Sequence, residues 1–192
     1  MPDLREQLRQ SVQGRVCLMG LGNVDYGDDG LGVHLTEAVA ERLTGLGEGS
    51  LAGHVVNAGA APERFIGPVV QAGYDHLLFV DAVEFGGEPG SVLLLDEDEI
   101  EARFPQISTH KMSVHLLAKL IGENGRTKVQ LLGIQPGSLK PGQGLSTAAQ
   151  RTVDILADML CPLLIAAKRT GEQDLTHGGH VPALQTAEVH GS

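Results

Sequence analysis

Between Met1 and Thr170, short runs rich in Leu, Val and Ile alternate with segments whose apolar residues recur at helical spacing. Residues 15–21 (RVCLMGL), 52–57 (AGHVVN), 76–82 (HLLFVDA), 91–96 (SVLLLD) and 128–134 (KVQLLGI) read as five strands. Most are too continuously apolar to leave one face in water, so they belong in a sheet covered on both sides. Residues 30–45, 62–72, 97–104, 111–122 and 147–169 read as helices, the last opening on a capping-box pattern at Thr147-Ala-Ala-Gln150. This alternation predicts an α/β fold, a three-layer α/β/α sandwich around a mostly parallel five-stranded sheet. The link VEFGGEPG between 76–82 and 91–96 is too short for a helical crossover, which predicts that this pair of strands is antiparallel.

A chain of 192 residues fills one sizeable core and scarcely two, so residues 1–170 read as a single domain. From Gly171 the apolar periodicity stops while Gly, Thr and His accumulate, and residues 171–192 read as a disordered tail. His177, His180 and His190 are too sparse to make that tail a His-rich metal tract. The formal net charge is −10. Such a surface repels phosphate backbones and anionic headgroups, so neither nucleic acid nor a membrane is expected as a partner. The N-terminal MPDLREQLRQ is charged and amphipathic, no run approaches the roughly 18 apolar residues of a bilayer span, and a cytoplasmic location is expected. Cys17 and Cys161 lie inside apolar segments, where a thiol behaves as a small hydrophobe rather than a nucleophile.

In sheets of this kind ligands bind outside the carboxyl ends of the strands. The first predicted strand runs into Gly20-Leu21-Gly22-Asn23-Val24-Asp25-Tyr26-Gly27-Asp28-Asp29-Gly30 and then directly into a helix. A dinucleotide fingerprint would need a small residue where Asp25 stands, and Asp28 and Asp29 would repel a pyrophosphate. One of these acids can cap the helix; two in succession exceed what a cap requires, which leaves a ligand role open for Asp29. Asp81 ends the apolar run HLLFV, where a carboxylate is costly unless it is paired, coordinated or bonded to nearby backbone. The turn Ser108-Thr109-His110-Lys111 leads into a helix holding His115. Five helical residues are about 140° of rotation, so the two imidazoles cannot easily share one site, and His110 in the turn is the better ligand. Two carboxylates and one imidazole from three strand–helix junctions would form an open N/O site for a divalent ion such as zinc or nickel.

The segments GLGNVDYGDDGLGVHLTEAV (20–39), LLFVDAVEFGGEPGSVLLLD (77–96), STHKMSVHLL (108–117) and LLGIQPGSL (131–139) together resemble the hydrogenase maturation proteases, nickel-dependent endopeptidases. Pro62-Glu63 in NAGAAPERFIGPV resembles the subgroup serving formate-hydrogenlyase-type hydrogenases. The resemblance implies an endopeptidase that removes the C-terminal extension of the [NiFe]-hydrogenase large-subunit precursor once nickel is inserted, and it places metal ligands and catalytic residues at Asp29, Asp81 and His110. Asp29 stands where many relatives carry Glu. Nickel, supplied by or shared with the precursor, is the implied metal, with another divalent ion as the alternative. Gln135-Pro136 resembles a family motif expected to face substrate. A non-catalytic nickel carrier or checkpoint protein is the rival reading, because the same ligands could bind metal without cutting.

Overall fold

The computed structural model describes residues 3–103, 114–122 and 126–177. In chain order its elements are α1 (Leu4–Ser11), β1 (Val16–Leu21), α2 (Leu31–Gly45), α3 (Gly49–Ala52), β2 (Val55–Gly59), α4 (Ile66–Ala72), β3 (His76–Ala82), β4 (Val92–Asp96), α5 (Glu97–Arg103), α6 (Val114–Gly122), β5 (Lys128–Ile134) and α7 (Thr147–His177). Two 3₁₀ turns, Val24–Gly30 and Pro62–Phe65, precede α2 and α4. The strands form one sheet in the order β2-β1-β3-β5-β4, parallel except for β4, with helices on both faces. The predicted α/β/α sandwich is the observed fold.

Period-two alternation along β3 sorts the two halves of the core. Leu78 and Val80 point to the side covered by α1, α2 and α7, among Leu8, Leu31, Leu35, Val153 and Leu156. Leu77 and Phe79 point to the other side, among Val69 of α4, Ile100 of α5, and Leu117 and Ile121 of α6. Cys17 and Cys161 are both buried and free, and burial pushes the Cys17 thiol up to about 12, which keeps it protonated and unreactive.

Several expectations need correction. β4 is antiparallel to β3 in direction but does not pair with it: β5 lies between them and takes the antiparallel bonds, Leu94 opposite Leu132. Loop length fixes strand direction, whereas adjacency is open to any later strand that can slide into the gap. β2 begins at Val55 because α3 and the turn at Gly53 occupy the first residues of the predicted 52–57 strand. The N-terminal segment, to which the sequence assigned no element, is a helix capped by Asp3, whose Oδ1 accepts the Glu6 N–H at 2.8 Å, and its Leu8 is fully buried. The cap of α7 is Ser146, whose Oγ accepts the Ala149 N–H at 3.2 Å, one residue before the predicted capping box. α7 runs on to His177, past Gly171, because Glu172, Gln173 and Leu175 are good helix formers and one glycine does not outweigh them. Residues 178–192 lie outside the described residues. Among the described residues no helix is long and apolar enough to cross a membrane.

His76, at the start of β3, yields a prediction. Burial pushes its pKa below the usual imidazole value, its cross-strand neighbour Lys128 adds to the effect, and Asp75 opposes it. Between the ordinary value of about 6.5 and the lower folded value, the unfolded chain binds a proton that the folded chain refuses. Stability is therefore held above about pH 6.5 and falls as the pH drops through that window. The melting temperature of His76→Gln should fall less steeply than that of the wild type over this range; parallel curves would contradict the assignment.

Candidate active site at the carboxyl edge of the sheet

The segment after β1 must leave the sheet, deliver acidic residues and enter α2 without a long loop. Gly22 (φ 122°) and Gly27 (φ 59°) adopt backbone conformations that side chains resist. A Cβ on Gly27 would stand 2.6 Å from the Ser138 carbonyl oxygen, so this glycine lets the 24–30 turn lie directly on the 137–146 loop. Three backbone bonds close that seam: Gly27 N–H to Gln143 O at 3.2 Å, Asp28 N–H to Ser138 O at 2.8 Å, and Gly142 N–H to Asp25 O at 2.8 Å.

Asp28 does most to fix this seam. It is fully buried, and its Oδ2 accepts from Gly137 N–H (2.7 Å), Ser138 N–H (3.1 Å) and Ser146 Oγ (2.8 Å), while Oδ1 accepts from Ser146 N–H at 2.6 Å. Four donors from a distant loop make it a structural anchor rather than a simple helix cap. No signal in the chain itself distinguishes Asp28 from Asp29 in this respect.

Gly20 and Gly32 set where α2 meets the sheet. A Cβ on Gly32 would collide with the carbonyl oxygens of Val80 and Leu21, and one on Gly20 would collide with the carbonyl of Gly32. The first turn of α2 therefore rests on the backbones of β1 and β3. Asp29 lies three residues before Gly32 and Asp81 follows Val80, so this contact carries both carboxylates to the same edge of the sheet. Gly32→Ala should destabilise the chain by about 3 kcal/mol, because only backbone could give way. A thermal melt close to wild type would remove the contact as a cause.

Both carboxylates are 6% exposed. Asp29 Oδ2 accepts the Asn23 N–H at 2.9 Å, and Asn23 Oδ1 accepts the Asp25 N–H at 3.0 Å, so the turn is built around the carboxylate. Asp81 Oδ1 accepts the Ala82 N–H at 2.9 Å, and across the sheet its partner is Gly133 of β5. Along β3, Asp81 falls on the same face as Leu77 and Phe79, the face that α6 covers. α6 ends beside the start of α5, where a Cβ on Gly122 would stand 2.9 Å from Glu97 Oε2. That is the amino edge of the parallel strands, so the opposite end of α6, Val114, is directed to the carboxyl edge.

Two of the three residues expected in the site are thus brought to one edge. His110 lies outside the described residues, and among the described ones no group of three or more His, Cys, Asp or Glu forms a metal site. His115 belongs to α6. Gln135 has an internal role that the sequence did not signal: its Oε1 accepts from the N–H groups of Phe85 (2.9 Å) and Gly87 (3.1 Å), and so holds the β3–β4 link where it arches over the end of β5.

Comparison with known proteins agrees with this fold. The HycI family model, described as hydrogenase maturation protease, matches residues 33–163, beginning just after the Asp29 turn. The hydrogenase 3 maturation protease of Escherichia coli is 34% identical over 119 residues, 62% of this chain and 71% of that protein. The hydrogenase 2 maturation protease of the same organism is 28% identical over 146 residues, 73% of this chain and 84% of that protein. Among solved structures, the [NiFe] hydrogenase maturation protease HycI from Thermococcus kodakarensis superposes with a TM-score of 0.68 at 29% identity, covering 83% of this chain and 99% of that one. The family model spans more than half of the chain and the fold superposes, and the chain belongs to the hydrogenase maturation protease family.

Proposed function

We propose that this chain is a metal-dependent endopeptidase that removes the C-terminal extension of a [NiFe]-hydrogenase large-subunit precursor in the cytoplasm after nickel has been inserted. The observation that carries the reading is the pair of buried carboxylates, Asp29 and Asp81, held at one strand edge in a chain of this family. With the His110 imidazole they would make up an oxygen and nitrogen donor set of the kind that binds divalent ions with positions to spare. The nickel is read as cargo of the precursor, shared between the thiolates of its Cys motif and these three side chains. A metal in that position would polarise the scissile carbonyl or lower the pKa of a water. A carboxylate of the pair can take the proton of an attacking water, and the two routes use the same residues.

Three hard or borderline protein ligands should hold free nickel only modestly and reach full coordination when a loaded precursor supplies the other donors. Mass action then favours the loaded substrate over the empty one. The purified chain, mixed with apo and with nickel-loaded precursor, should produce the mass loss of the extension in the loaded sample alone, and an isolated peptide spanning the cleavage point should survive. Equal cleavage of both precursors would refute the gating. Tight binding with no mass loss from either would favour the non-catalytic carrier or checkpoint reading instead.

A further inference from the structure

Two large apolar side chains on the Asp29 turn stand exposed at the surface. Val24 is 45% and Tyr26 47% exposed, on the 3₁₀ turn that also carries Asp29. Isolated apolar side chains on a surface need no explanation, but these two sit on a turn that is fixed rather than loose. Tyr26 N–H donates to Asn23 O at 3.1 Å, Gly142 N–H donates to Asp25 O, and the four bonds to Asp28 anchor the next residues. Val24 is packed against the start of α2, where a Cβ on Gly30 would stand 2.9 Å from Val24 Cα. A valine and an aromatic on rigid backbone lose little conformational freedom when covered, the property of residues that dominate binding surfaces.

Resting on the protease reading above, we propose that Val24 and Tyr26 form an apolar lip that seats an aliphatic or aromatic side chain of the precursor beside its metal-bearing segment. A polypeptide whose metal is engaged by Asp29 is brought to this turn, because Val24 and Tyr26 lie five and three residues before that carboxylate on the same short segment. Asp25 stands exposed between them and disfavours an acidic residue in the same stretch of substrate. The lip acts on substrate positioning and takes no part in bond breaking.

The test is a steady-state comparison on nickel-loaded precursor of the wild type, the double variant Val24→Ser/Tyr26→Ser, Tyr26→Phe, and Leu46→Ser. Leu46 is the control: it is 64% exposed and follows the far end of α2, about 22 Å of helix away. The double variant should raise KM about ten-fold or more. Its kcat should stay within about two-fold of wild type, the signature of lost uniform binding. Its melting temperature should move by no more than about 2 °C, as for exposed sites. Tyr26→Phe should keep KM well below that of the double variant, since the ring and not the hydroxyl makes the contact, and Leu46→Ser should change nothing. An unchanged KM in the double variant, or an equal rise in Leu46→Ser, overturns the lip while leaving the protease reading in place. A wild-type chain that fails to cut loaded precursor overturns both.

Discussion

Alanine at Asp29, Asp81 or His110 should reduce processing of nickel-loaded precursor by about 10³-fold or more, the scale of losing a group that stabilises charge in a transition state. Each would remove one donor from the proposed set of three, and two donors would not hold the metal in place. The fold should persist. Asp29 and Asp81 are buried at the ends of elements rather than within the apolar clusters, and each accepts a bond from nearby backbone, from Asn23 N–H and Ala82 N–H respectively. Their replacement removes a carboxylate from a site where burial already disfavours charge. His115→Ala should be mild, in keeping with the sequence reading that prefers His110 as the ligand. Mass spectrometry of the precursor over time, with a thermal melt of each variant, decides the matter. An essential His115 beside a dispensable His110 would reverse the ligand assignment, and normal processing by Asp29→Ala would remove the carboxylate pair from the chemistry.

A loss of about 3–5 kcal/mol in stability is expected for Asp28→Ala, far more than for either neighbouring carboxylate. The alanine leaves the N–H groups of Gly137, Ser138 and Ser146 facing a space with no acceptor, and it frees the Ser146 hydroxyl that caps α7. For a chain of this size that corresponds to a fall in melting temperature of about 10 °C or more. Asp28→Asn discriminates between volume and chemistry. It is isosteric, but its amide must place an NH₂ group against N–H or O–H donors on one side, so it should recover little of the loss. An Asn variant as stable as wild type would show that shape alone holds the two loops together.

The strands were legible because a buried parallel sheet demands continuous apolar runs, and RVCLMGL, HLLFVDA and KVQLLGI satisfy that demand without ambiguity. The direction of β4 was legible from the length of the link before it. Its neighbour was not, since pairing depends on where β5 arrives more than thirty residues later. α1 was hidden because eight residues with two leucines among charges are too short to be a stable helix alone, and it is burial of Leu8 against the core that holds it. Asp29 and Asp81 could be nominated because each breaks an apolar or glycine-rich context at a predicted strand end. Asp28 could not be told from Asp29, since what separates them is a loop more than a hundred residues downstream. The bonds of Gln135 to the β3–β4 link were illegible for a related reason: a polar residue at a carboxyl edge looks the same in sequence whether it meets substrate or an adjacent arch.

The bonds of Asp28 also govern when the chain can become active. Its partners stand 109 to 118 residues further along the sequence. On a ribosome the Asp29 turn is therefore synthesised early but stays untethered until Ser146 has left the exit tunnel, when nearly the whole domain is complete. Closing a loop of that length is slow compared with local helix formation. β4 is under the same constraint, because its pairing partner β5 is made after it. The nascent polypeptide thus carries its acidic turn for most of its synthesis without the geometry to use it, and hydrolytic competence arrives as one of the last events of folding.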